Sequence, residues 1–277
     1  MPIMSTATYL DYFSTNIPVG AVGDAMDAGY LFGLTLSNDG TDPTNDIGIA
    51  TGKARDSTDA ADMSLTGALI KRLDAAWAVG TNQGGLDTGA IANTTYFVWL
   101  IKRSDTGVVD VLFSTSATAP TMPASYDYKR RIGSIVRLAA AIILFVQDGD
   151  VFKWKVPFVD VNAQANPGTA AMTKTLTLPV GIRIEALVAI SGYNTNAAGS
   201  MGAIWASDLS VTDTVVGTNT AFSVSVYSTA AAQFNLGGVE RVFTNTSAQV
   251  RVRVQFSAAT SILYVVTHGW IDTRGRI

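Results

Sequence analysis

Of the chain's 22 acidic residues only Glu185 and Glu240 are glutamates; every other one is an aspartate. Glutamate sustains helices, whereas aspartate competes for nearby backbone groups and belongs in turns and caps. A chain of 277 residues that avoids glutamate so thoroughly is a poor candidate for a helical bundle. It reads instead as a series of short strands joined by many turns.

Hydrophobic patterning agrees. Tyr96 to Ile101 and Val108 to Phe113 flank Ser104-Asp105-Thr106-Gly107, a hairpin signal. Tyr96 to Ile101 is apolar at every position, so that strand should be covered on both faces. A second hairpin is expected from Ile142 to Val146, the turn Asp148-Gly149-Asp150, and Val151 to Lys155. The cleanest alternation places Val250, Val252, Val254 and Phe256 on one face and Arg251, Arg253 and Gln255 on the other. Further strands are expected at Tyr30 to Leu36, Ile47 to Ala50, Thr173 to Leu178, Arg183 to Ile190, Phe222 to Tyr227 and Ser261 to Thr267. Leu65, Leu69, Leu73 and Trp77 recur every fourth residue and suggest one short helix, with a strand through Leu69, Leu73, Ala75 and Trp77 as the alternative.

The expected fold is therefore all-β: two β-sandwich or jelly-roll-like modules with one short helix, preceded by a short N-terminal arm. The arm spans residues 1–45, the first β module 46–160 and the C-terminal β-sandwich module 161–277, with Asn166-Pro167-Gly168 as the junction.

Charge sets limits on partners. With 19 basic against 22 acidic residues the net charge is −3, which argues against a general nucleic-acid binder, since such a protein needs a basic stripe. The longest apolar run, Leu138 to Val146, is half a membrane span, so no membrane insertion is expected. The start of the chain lacks the pattern of a signal peptide, and with no cysteine the protein has neither disulfides nor thiolate chemistry.

Catalytic and metal chemistry is thinly represented. His268 is the only histidine, and a triad would also need a nucleophile and an orienting carboxylate. Asp56, Asp59 and Asp62 form an oxygen-rich cluster without the spacing, glycine or terminal glutamate of a calcium loop; turn and cap chemistry explains them better. Asp105, Asp148 and Asp150 read as turn residues rather than as a glycosidase pair, and Gly84-Gly85 as a turn rather than a phosphate loop. Trp77, Trp99, Trp154, Trp205 and Trp270 could include sugar-stacking platforms, although most tryptophans in β modules are core or interface. Arg130-Arg131 is too short for a nucleic-acid patch and reads as a solvated or interfacial pair. No catalytic, cofactor-binding or metal residue is assigned.

Several segments, in order, carry a resemblance. They are Lys71-Arg72-Leu73-Asp74-Ala75-Ala76-Trp77-Ala78-Val79-Gly80-Thr81 with Gly84-Gly85-Leu86-Asp87-Thr88-Gly89, then Val98-Trp99-Leu100-Ile101-Lys102-Arg103, Tyr126 to Ile135, Phe145 to Asp150, and the closing Gly269 to Arg276. Together they resemble a module of tail-fibre-like virion structural proteins of tailed bacteriophages, over roughly residues 46–277. The resemblance implies a non-enzymatic, β-rich virion subunit without cofactors, a homotrimer acting in particle assembly or host-surface attachment. Its partners would be other virion proteins, through the N-terminal arm, and host surface glycan. Only about 45 residues precede the module, which favours a short fibre or spike over a long shaft. The competing readings are a head, neck or capsid decoration protein and a carbohydrate-binding module for bacterial surface glycan. A polysaccharide depolymerase would need a carboxylate pair that the sequence does not announce.

Overall fold

The computed structural model describes residues 25–194, 203–215, 224–225 and 239–276. Most of the expected strand Phe222 to Tyr227 and the first part of the arm lie outside them. Among the described residues the chain is all-β, without a helix.

The strands run in chain order as β1 (Leu31–Gly33), β2 (Leu36–Asn38), β3 (Asp46–Ile49), β4 (Gly52–Arg55), β5 (Asp62–Leu65), β6 (Leu69–Ala76), β7 (Gln83–Leu86), β8 (Thr95–Arg103), β9 (Val109–Ser114) and β10 (Tyr126–Leu138). They continue as β11 (Ala141–Ile142), β12 (Phe145–Asp148), β13 (Val151–Ala165), β14 (Met172–Thr175), β15 (Glu185–Asn194), β16 (Ala203–Ser207), β17 (Val224–Ser225), β18 (Val239–Phe243), β19 (Gln249–Val254) and β20 (Ser261–Ile271). The N-terminal half builds a three-stranded sheet, β1-β4-β5, and an eight-stranded sheet, β11-β10-β8-β9-β7-β6-β3-β2. The C-terminal half builds a β-sandwich-like pair, β12-β13-β20-β15-β18 and β14-β19-β16-β17. The hairpin β12–β13 forms as expected about Asp148-Gly149-Asp150, with Asp148 opposite Val151. Its long second strand pairs with β20 and so belongs to the C-terminal sheet.

Strand β8 explains the eight-stranded sheet. Tyr96, Val98 and Leu100 face the main core, while Phe97, Trp99 and Ile101 pack with Leu112 and Tyr126 in a second cluster on the opposite face. Both faces are thus covered, as an unbroken apolar strand requires. Valines 250, 252 and 254 of β19 are buried as the alternation demands, but Phe256 lies beyond the strand end and is 48% exposed.

The stretch Leu65–Trp77 holds no helix: Leu65 ends β5, and the alternative strand reading holds for β6 (Leu69–Ala76). Leucines four apart also satisfy a period of two, and the deciding residue is Lys71: with Leu73 it points inward, while Arg72 and Asp74 point out. Lys71, which falls off the helical stripe, is a buried ion-paired lysine. Gly84-Gly85, expected as a turn, lies in β7, which runs parallel to β6 and β9. A Cβ on Gly84 would stand 2.0 Å from the Ala76 carbonyl oxygen, and one on Gly85 2.7 Å from the Phe113 ring. Both glycines serve close strand approach. Likewise β1 and β2, inside the span expected as an arm, pair with β4 and β3 and bury Leu31, Leu34 and Leu36.

Gly84→Ala should therefore destabilise by about 2–4 kcal/mol in urea titration, since the opposing atom is backbone and cannot rotate away. Gly67→Ala, with open space around it, should stay within about 0.5 kcal/mol of the parent.

Candidate functional site

The outer face of the five-stranded sheet differs from the rest of the surface. Register places Val159, Val266, Ala189 and Val239 in one row across β13, β20, β15 and β18. Val159 and Val239 are more than half exposed. A neighbouring row holds Lys153, Gly269, Leu187 and Arg241.

Between these rows β20 is irregular. Gly269 pairs with Leu187 and Thr267 with Val188, so His268 has no opposite number in β15 and forms a β-bulge. On the other side of β20 the register with β13 also breaks there, between Lys153 and Phe158. Thr267 and Trp270 are fully buried, so His268 and Gly269 between them take the outer side. Bulges re-aim side chains in this way. Gly269 is obligatory: a Cβ there would fall 2.0 Å from the Phe152 carbonyl oxygen. Around the bulge lies a groove of about 410 Å³ lined by Lys153, Trp154, Leu187, Val239, Arg241 and His268. Arg241 is held at one end by Glu185 at 2.5 Å. Among the described residues no hydroxyl nucleophile and no carboxylate lines this groove, and none forms a triad with His268.

The other residues singled out in the sequence are spent internally. Asp56 caps its own turn, accepting from the Thr58, Ala60 and Ala61 amides and the Thr58 hydroxyl. Asp59 accepts from the Gly29 amide, and Asp62 from Met26 and Arg55. The three carboxylates do not converge, and among the described residues no group of three or more His, Asp or Glu is placed to hold a metal. Asp105 caps Thr106 and pairs with Arg103. Trp99, Trp154 and Trp270 are buried; Trp270 stacks on Phe152 at 4.9 Å and meets Trp154 at 4.6 Å. Trp77 is half-buried, with its indole N–H donating to the Val111 carbonyl. Trp205 is half-buried on β16, opposite Arg253.

Arg130 and Arg131 are not a solvated pair. Arg131 donates two parallel bonds to Asp272, at 2.6 and 2.8 Å, and both residues are buried. Arg130 is also buried, yet among the described residues its Nε has no partner and its one side-chain bond, to the Gly29 carbonyl, is long at 3.5 Å. Burial pushes its guanidinium below the ordinary range, opposed by the charge of Asp59. Lys71 and Asp110 form a second interior ion pair at 3.2 Å, both wholly inaccessible to solvent or nearly so. The ammonium also donates to the Ala78 and Gly80 carbonyls, and the carboxylate accepts from the Gly80 and Val111 amides. Asp150, expected only as a turn residue, binds both Arg274 and Arg276.

No protein-family model matches the chain, and no curated protein matches it significantly.

Sequence reasoning missed Lys153 and Arg241, which become neighbours of His268 only through strand register. The signal available was the His268-Gly269 step inside an apolar strand, because an isolated glycine in such a run marks a bulge.

Two outcomes follow from the charges. Arg131→Met should cost about 3–5 kcal/mol by leaving the Asp272 carboxylate buried and unpaired, while Arg130→Met should be neutral or stabilising by about 1 kcal/mol; chemical denaturation of both variants checks this. For Asp56, burial raises the carboxyl pKa, but the hydrogen bonds from Thr58, Ala61 and Ala60 outweigh it and leave it below the ordinary value of 3.8. Its contribution is thus fully present above that value and is lost as pH falls from it toward the depressed folded pKa. Asp56→Ala should show a shallower stability loss than the parent across that acid window.

Proposed function

We propose that the chain is a non-enzymatic structural subunit of a bacteriophage virion, a short fibre- or spike-like appendage that assembles as a homotrimer and meets the host surface. The observation that carries this reading is how the chemistry-bearing residues are used. Buried ionic groups tie strands and modules together, the cluster at Asp56 caps turns, and three of the five tryptophans are buried. Such a molecule works through shape and surface. The ordered resemblance of its segments to tail-fibre-like proteins supports the same reading.

Surface features support an oligomer. Beyond Lys155, β13 is paired on one side only among the described residues, and Val156 and Val159 on that stretch are 74% and 54% exposed. An open, apolar edge is a liability in a free monomer and is hidden in an obligate assembly. Residues ahead of Ala25 would attach the subunit to the particle.

Light scattering at two concentrations should give a stable trimer, whereas a monomer at both would overturn the oligomeric part. Deleting residues 1–24 should leave a folded oligomer that no longer joins particles in an assembly assay. Deleting through residue 45 should instead unfold the chain, because it strips Leu31, Leu34 and Leu36 from the core. Full incorporation of the shorter truncation into particles would overturn the attachment role.

A further inference from the structure

We infer that the groove at the His268 bulge is a binding site for a linear acidic saccharide; the inference deepens the host-surface part of the proposed function and rests on it. Three positively charged or chargeable side chains, Lys153, His268 and Arg241, line the groove together with the apolar Leu187, Val239 and Trp154. At about 410 Å³ it falls within the size range of small-ligand sites.

The rim is available. The Lys153 and His268 side chains take part in no hydrogen bond or ion pair with described residues. Among the described residues Arg241 pairs only with Glu185, and its side chain is 61% exposed, so that contact is solvent-screened and worth little. A guanidinium has five N–H donors and keeps most of them for a ligand. The bulge that turns His268 outward costs β20 a regular ladder and places the imidazole between the two cations.

Spacing selects the ligand class. Lys153 on β13 and Arg241 on β18 lie three strand spacings apart, roughly 14 Å between backbones. Cations set that far apart are matched best by a ligand that carries more than one acid group. A linear chain with repeated carboxylates and C–H faces between them does this, laying its apolar faces on Leu187 and Val239. An acidic peptide fits less well. Extended peptides are held by adding to a free strand edge; across the groove β13, β20 and β15 are each paired on both sides, and the end strand β18 would seat such a peptide beside the groove rather than over His268 and Lys153. A nucleic acid is disfavoured by the chain's net charge of −3.

The test is calorimetric titration of the intact protein with tetragalacturonate and with its fully methyl-esterified, uncharged counterpart. The acid should bind about tenfold or more tightly than the ester, with an affinity that falls as salt is raised. Lys153→Met and His268→Asn, both on the sheet surface, should each weaken the acid about tenfold and leave the ester unchanged. Unaltered thermal melting would show that these variants remain folded. Absence of binding, equal binding of acid and ester, or insensitivity to both variants would overturn the inference. So would hexa-aspartate binding as tightly as the saccharide, which would reveal an unselective polyanion surface. A chain that forms trimers and joins particles but fails this titration loses the groove assignment alone; one that binds the acid as a monomer loses the oligomeric reading alone.

Discussion

Arg131 and Asp272 join two halves of the chain that are 141 residues apart in sequence. Arg131 lies on β10 in the eight-stranded sheet, and Asp272 follows immediately after β20, the strand that β13 and β15 flank. The carboxylate is completed by the Arg274 amide at 2.7 Å, and the Asp272 amide donates to the Asp150 carbonyl. Arg274 then reaches back to the Gly33 carbonyl and to Asp150. One closing segment therefore ties β1, β10, the β12–β13 turn and β20 together. Trp270, two residues upstream, is stacked on Phe152 at an interplanar angle of 8°. Fixing the end of β20 thus also fixes the aromatic centre of the C-terminal sheet. The main apolar core runs from Leu31 to Trp270 through both halves, and tail and core hold the same geometry.

Buried charge of this kind adds little net stability, because desolvating two ions offsets most of their attraction. Its effect is on alternatives. Lys71 is inward on β6, and burial pulls its ammonium below the ordinary lysine range while Asp110 raises it again. A one-residue slip of β6 would turn Lys71 to solvent and put Ile70 or the larger Arg72 in its place beside Asp110, leaving the carboxylate unpaired or its cavity overfilled. The parallel pairing β6–β7 is short and bulged, so the hydrophobic pattern alone would specify that register weakly. The interior pair supplies the missing discrimination. Arg130 has no matching carboxylate bond, which is why its removal and the removal of Arg131 are expected to differ in sign.

Legibility in the sequence followed range. The hairpin β8–β9 was readable because a four-residue turn and two apolar runs are local, and the two-sided burial of β8 followed from six consecutive apolar residues. Glutamate scarcity gave the all-β class for the same reason, since propensity acts residue by residue. The helix reading of Leu65–Trp77 failed because the inward lysine could be recognised only with Asp110, on another strand, in view. Gly84-Gly85 misled similarly: glycine marks a turn or a close backbone approach, and only the facing Ala76 carbonyl decides which. Arg130-Arg131 looked like surface because their neighbours in space, Asp272 and Gly29, are distant in sequence. The groove was half legible, through His268 as a lone histidine beside a glycine; Lys153 and Arg241 came from register.

The same contrast separates scaffold from site. Where β13, β20 and β15 pair regularly, inward residues fill the core and outward ones follow passively, and nothing there needs explanation beyond packing. At His268 the ladder breaks on both sides of one strand, and the break is made permanent by a glycine whose replacement would collide with Phe152. A fold gains no core residue from this irregularity: Thr267 and Trp270 would be buried in a regular strand only if one intervening residue were removed. The extra residue is the single histidine of the chain, turned out between two cations. The β13–β20 ladder shifts register again further along, between Val159 and Gln164, but there the β20–β15 ladder runs unbroken; at His268 both flanks of β20 break together, and local cost without local structural return is what a site looks like.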